Sequence, residues 1–184
     1  TATVSIPVSS DDATEGTVSP VTLIFDAGNW NTNQTVTVTG VNDDVDDGDI
    51  TYNAVLSAAS STDTRYGGLN PADVTVINDD NDASGFTITP AGTVTVTEAG
   101  STANVTIKLT SQPTANVVIP VSSNNIAEGT VSPATLTFTS VNWNVAQSIT
   151  VSGVNDDVDD GDSSWTVVLG PDASTADLGY KNLN

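Results

Sequence analysis

Asn42-Asp43-Asp44-Val45-Asp46-Asp47-Gly48-Asp49 holds five carboxylates within seven residues, and Asn155 to Asp162 repeats the same eight residues. A third cluster, Asn78-Asp79-Asp80-Asn81-Asp82, lies between them. Two like charges 4 Å apart repel by about 1 kcal/mol even in water, so such a loop is destabilised unless a cation sits in it. Carboxylate, amide and carbonyl oxygens are hard ligands suited to Ca2+, which takes about 6–8 of them, whereas Mg2+ keeps more of its water. The alternative for an acidic run is a solvated turn. Intact recurrence favours the metal, as does the shortage of internal counter-ions: 23 Asp and Glu stand against 3 Lys and Arg. The spacing is not that of an EF-hand, because no helical pattern flanks the loop and the twelfth position from Asp43 is Ala54 rather than Glu. The Gly-Gly-x-Gly-x-Asp repeat of β-rolls is also absent.

Composition removes most other chemistry. A net charge of −20 opposes contact with phosphate backbones and with anionic membrane surfaces. With no His and no Cys, the chain lacks the ligands of zinc, haem and iron–sulfur sites and the bases of Ser-His-Asp and Cys-His catalysis. Disulfides are impossible, so cysteine usage is silent on the redox compartment. The sequence has no initiator Met, signal peptide or apolar run near 18 residues, and reads as a segment of a longer product.

The elements that must position the acidic loops are strands. Thr35-Val36-Thr37-Val38-Thr39 and Thr93-Val94-Thr95-Val96-Thr97 alternate with period two, which places Val on one face and Thr on the other. The sequence also repeats itself. Residues 1–57 align with 114–170 at a constant offset of 113, with 35 of 57 positions identical; one inserted residue then brings Tyr66 and Leu69 opposite Tyr180 and Leu183. Strands are expected near 3–8, 16–25, 34–41, 50–57 and 72–77 in the first copy. In the second they are expected near 93–97, 103–109, 116–122, 129–139, 147–154 and 163–170, with turns at Asp47-Gly48, Gly67-Gly68 and Ala99-Gly100. Seven short strands per repeat predict an all-β fold of tandem antiparallel β-sandwiches. The repeats are out of phase with the segment. Residues 1–82 form a first repeat without the strand corresponding to 93–109, and 83–184 a second without the strand corresponding to 72–77. An incomplete sandwich exposes unpaired backbone and invites strand addition from neighbouring repeats or identical chains. Head-to-tail contacts of that kind build fibres or filaments.

The motif order resembles the Calx-beta family. Thr97-Glu98-Ala99-Gly100 looks like the family's opening, and Ser122 to Gly129 falls at its first acidic inter-strand loop. Thr135–Phe138, Gln147–Val151 and Asn155–Asp160 follow its order of strand, strand and Asp-rich loop, and Asn78–Asp82 looks like its closing Asp run. The resemblance implies an Ig-like seven-strand sandwich with Ca2+ sites at one end, of a kind found in exchangers and in arrays of bacterial surface adhesins. Carried over residue by residue, it implies metal ligands Asp12, Asp43, Asp44, Asp46, Asp49, Asp79, Asp80 and Asp82 in the first copy. In the second it implies Glu98, Asp156, Asp157, Asp159, Asp160 and Asp162. Asn124 and Asn125 replace Asp11 and Asp12, so the second site departs from the first; Glu15 and Glu128 also lie near the first loop.

The expected function is a calcium-stabilised structural spacer of an extracellular or cell-surface protein, in bacteria, within an adhesin, matrix or fibre. Near-identical tandem copies suit a spacer, which gains reach from number. A calcium-dependent glycan- or protein-binding module is the alternative, carried by a Trp beside the acidic loop. A carboxylate-pair glycosidase would need its acids across a cleft rather than crowded on loops, so no enzyme is expected. An exchanger-type sensor needs no array. Trp30, Trp143, Phe25, Phe138, Tyr52 and Trp165 recur at equivalent places and read as core or rim packing, with sugar stacking as the other reading.

Overall fold

A computed structural model of the chain describes residues 2–156, 161–170, 175–181 and 183. Among these, regular structure is entirely strand, and every pairing is antiparallel. The fold is the all-β sandwich repeat that the Thr/Val alternation predicts. Two compact units form. Residues up to Asp43 and from Asp47 to Asp80 make the first; Asp44–Asp46 group with residues from Asn81 onward in the second.

In the first unit, β1 (Val4–Ser10) pairs with β3 (Thr22–Phe25), β5 (Ile50–Leu56) and the short β6 (Ser60–Ser61). On its other edge β5 pairs with β7 (Val74–Asn78). A separate ladder joins β2 (Gly16–Ser19) to β4 (Thr37–Gly40). Val8, Leu23, Tyr52, Ala54 and Ala59 are buried here.

In the second unit, one sheet runs in the order β12 (Thr135–Phe138), β10 (Val117–Ser123), β14 (Val167–Leu169). The other runs β11 (Gly129–Ser132), β13 (Gln147–Gly153), β9 (Thr102–Leu109), β8 (Phe86–Thr89). Their facing apolar residues make one core: Ile119, Val121 and Phe138 from the first sheet, Ile107, Ile149 and Val151 from the second. Each such side chain contributes about 1.5–3 kcal/mol by leaving water.

Three expectations are corrected. Residues 16–25 and 129–139 are not single strands. Each is cut at a proline, Pro20 or Pro133, and the halves join different ladders: β2 pairs β4 while β3 pairs β1, and β11 pairs β13 while β12 pairs β10. Proline has no N–H for a ladder, so the chain turns a corner there. Residues 93–97 are extended without a ladder. Val94 and Val96 still pack half-buried against the core, so the alternation reports a buried face rather than a paired edge. The ladder partner of β9 is instead β8, with Phe86 opposite Leu109.

Candidate metal centre

Sheet register gathers the acidic loops of the first unit at one end. Ile50 lies opposite Asn78, so the Asp-rich loop enters β5 where the closing Asp run leaves β7. Gly16 lies opposite Gly40, which brings Glu15 and Val41 to that end; the Val41 N–H donates to the Glu15 carbonyl at 2.9 Å. Asn78 ties the pieces together. Its Nδ2 donates to Glu15 Oε2 at 3.1 Å and to the Val41 carbonyl at 2.8 Å. Asp80 accepts from the Gly48 N–H at 2.8 Å, and its own N–H donates to Asp49 Oδ1 at 3.0 Å. Glu15, Asp49, Asn78 and Asp80 therefore meet around one loop.

Negative charge is concentrated at this end. Desolvation by its neighbours raises the exposed Asp47 carboxyl above the usual range, and the negative charges of Asp43, Glu15 and Asp80 push it the same way. Asp47, Glu15 and Asn78 stand outside the ligand set expected from the sequence. The sequence marks Asp47 as one of the five carboxylates of the loop and as half of its Asp-Gly turn, while the resemblance leaves it out of the ligand set. The available signal was recurrence: Glu15 and Glu128 begin an identical six-residue block, and Asp47 recurs as Asp160.

The other expected ligands are dispersed. Asp12 Oδ1 accepts from the Thr14 N–H at 3.1 Å and from the Thr14 hydroxyl at 2.5 Å, and these bonds hold its carboxyl below the usual range. Asn125 repeats the backbone bond to Ala127, so this role does not require a charge. Asp46 Oδ2 accepts from the Ser84 N–H at 2.7 Å, and the Asp44 carbonyl accepts from the Gln112 N–H; both acids group with the second unit. Asp79 is exposed in the first unit, and Asp82 is half-buried in the second.

The second unit repeats the frame. Gly129 lies opposite Gly153, and the Val154 N–H donates to the Glu128 carbonyl at 3.0 Å. Glu98 sits on a turn closed by the Gly100 N–H to the Thr97 carbonyl at 3.0 Å. That turn lies on Gly153, where any Cβ would collide with the Thr97 carbonyl oxygen. Glu98 is thereby carried to the start of the second Asp-rich loop. Asp156 and Asp162 are exposed on that loop, while Asp157, Asp159 and Asp160 lie outside the described residues.

Among the described residues no three acidic side chains converge closely enough to grip a metal ion. The donor chemistry nevertheless fits a hard cation: the side chains of Glu15, Asp49, Asn78 and Asp80 and the Val41 carbonyl offer oxygen ligands at this end. A comparison with curated proteins returned no match. The Calx-beta domain profile matches twice, over residues 1–82 and 79–181. That family is a non-catalytic structural and binding domain associated with calcium. The two matches cover nearly the whole sequence, and the chain belongs to the Calx-beta domain family as two tandem repeats.

Proposed function

We propose that the chain is a calcium-stabilised spacer, two repeats of an extracellular adhesin, matrix or fibre-forming surface protein, with the repeats at 1–82 and 83–184. The observation that carries this reading is the crowded acidic end of the first unit, where Glu15, Asp49, Asn78 and Asp80 meet around one loop in a chain with three basic residues. In the first repeat Asp43, Asp47, Asp49 and Asp80, with Glu15, are the residues to hold the ion. Asp44, Asp46, Asp79 and Asp82 belong to the same runs. In the second repeat the set is Glu98, Asp156 and Asp162 with Asp157, Asp159 and Asp160. Bound calcium would supply positive charge that cancels the repulsion and ties loop to sheet end. Asn78 and the Gly48 N–H position the carboxylates of Glu15 and Asp80 for it.

Extracellular calcium modules bind with Kd of about 10⁻⁴–10⁻³ M, so millimolar calcium is the relevant range. Binding to the folded state alone then adds about 0.4–1.4 kcal/mol per site at 1 mM calcium. Calorimetric titration and melting curves, with calcium and with excess chelator, test the reading. Calcium should raise the melting temperature with saturable heat. Identical melting curves and no binding heat would overturn it.

Trp30 supports a second reading, a glycan- or protein-binding surface, because its indole is 71% exposed. Glycan binding lost in Trp30→Ala, with melting unchanged, would favour that reading.

A further inference from the structure

The peptide nitrogen after an aspartate lies one five-membered ring away from that aspartate's carboxyl carbon, and closing the ring gives a cyclic imide. The following residue decides whether the nitrogen can approach. Of the five acids in the loop Asp43–Asp49, only Asp47 precedes a glycine. Asp44 and Asp49 precede Val45 and Ile50, whose branched Cβ crowds the attacking nitrogen. Gly48 has no Cβ, holds φ at +78°, and has nothing within 4 Å of where a Cβ would stand. Asp47 and Gly48 are both exposed, so the ring has room to form and water reaches it.

Sheet register adds a base. Ile50 lies opposite Asn78, so the loop entering β5 passes the run leaving β7. There the Gly48 N–H donates to Asp80 Oδ2 at 2.8 Å. A base within about 2.6–3.2 Å of the nitrogen is placed to remove its proton. Asp80 is itself anchored, because its own N–H donates to Asp49 Oδ1 at 3.0 Å. Electrophile, nucleophile and base all belong to the first unit.

We propose that Asp47 is a site of self-catalysed isomerisation to isoaspartate, with the Asp80 carboxylate as the general base. Asp80 takes the proton of the Gly48 nitrogen as that nitrogen bonds to the Asp47 Cγ. The hydroxyl of the Asp47 carboxylic acid then leaves as water, carrying the proton that Asp80 accepted. A second water opens the imide. Cleavage at Cγ restores aspartate; cleavage at the main-chain carbonyl leaves the peptide link running through Cβ and Cγ. One water is released and one consumed, so the product is an isomer whose main chain is one carbon longer just ahead of β5. That extra carbon lies inside the Gly48–Asp80 and Asp49–Asp80 bonds, which hold the loop to the sheet end. The proposal does not depend on the calcium reading, and its test is run in chelator.

The full chain is aged at neutral pH in water enriched in heavy oxygen. Peptide mapping then reads label uptake at Asp47, and resistance to an aspartate-specific protease reads isoaspartate. Label and isoaspartate should accumulate at Asp47. Asp80→Asn should slow both by about ten-fold or more, and Asp80→Glu, which keeps a carboxylate, should retain more of the rate than Asn. Asp26→Asn removes one charge elsewhere in the first unit and should leave the rate unchanged. Asp160-Gly161 repeats the local sequence and is told apart by its flanking residues; its rate should be the same in every variant. No label at Asp47 overturns the proposal. So does a rate in Asp80→Asn equal to or above that of the parent chain, equal slowing by Asp26→Asn, or equal slowing at Asp160.

Discussion

Tyr52 and Trp165 occupy equivalent positions, and each lays its ring on the equivalent glycine, Gly16 or Gly129. Tyr52 is 3% exposed, its ring lies on Gly16, and its hydroxyl has no hydrogen-bond partner among the described residues. A buried unsatisfied hydroxyl carries a desolvation cost, so Tyr52→Phe should stabilise the first unit by about 1 kcal/mol, read from the denaturant midpoint. Asp177 is the opposite case. Burial alone would raise its carboxyl, but bonds from the Thr114 hydroxyl and N–H and from the Tyr180 and Ala115 N–H groups outweigh that and hold it below the usual range. A carboxylate with a depressed folded pKa stabilises above its unfolded value of about 3.9 and loses that contribution as pH falls through the folded value. The second unit should therefore weaken in acid below about pH 4. Asp177→Asn should cost about 1–3 kcal/mol at pH 7 and flatten that slope in acid titration followed by circular dichroism. Asp47 has the reverse sign: desolvation, joined by the negative charges of Asp43, Glu15 and Asp80, raises its pKa, so protonation relieves a cost that is present at neutral pH. Asp47→Asn should raise the melting temperature in chelator and shrink the response to calcium; a larger calcium response in the variant would refute its place among the ligands. Sequence exposed the acidic runs because composition alone marks them. It did not expose Asn78 as their clamp or Asp177 as a loop anchor, since both roles arise from register between distant strands.

At the scale of elements, the same local sequence yields different strands according to what lies beside it. Ile149 is fully buried between the sheets, and its equivalent Val36 is half-buried. Ile149→Ala should cost about 2–5 kcal/mol in the second unit's unfolding transition, while Val36→Ala should cost less than about 1.5 kcal/mol in the first. Equal costs in denaturant titration would contradict the difference in burial. Gly129 supports the Trp165 ring directly, so Gly129→Ala must displace the indole and should destabilise the second unit by about 1–3 kcal/mol. Alternation located nearly all the strands, because period two is a property of the chain itself. It joined β2 to β3 and β11 to β12, since their Val and Thr pattern runs on through proline. It also placed a strand at 93–97, where Val94 and Val96 are half-buried without a ladder. Pairing depends on a second segment, which no single window of sequence contains.

For the whole molecule the dominant physical fact is a charge of −20. Self-repulsion destabilises the compact state, so sodium chloride should raise the melting temperature in chelator through screening, with a Debye length of about 10 Å at 0.1 M. Calcium at 1 mM should exceed the effect of sodium chloride at matched ionic strength if it binds at sites; equal effects would reduce it to screening. The repeat itself was legible in full, being an identity between two stretches of text. The Tyr180 contact carries a mechanical consequence. Its hydroxyl grips Ser111 through the carbonyl at 2.8 Å, the N–H at 3.0 Å and the side chain at 2.8 Å, closing a loop of chain 69 residues around. A chain pulled from its ends loads that latch before the β10–β14 sheet. Opening it frees only the residues beyond Asp177, whose carboxylate still holds Thr114 and Ala115. Force on that end would therefore break the fold in order, the phenolic oxygen first, the Asp177 carboxylate next and the ladder between β10 and β14 last.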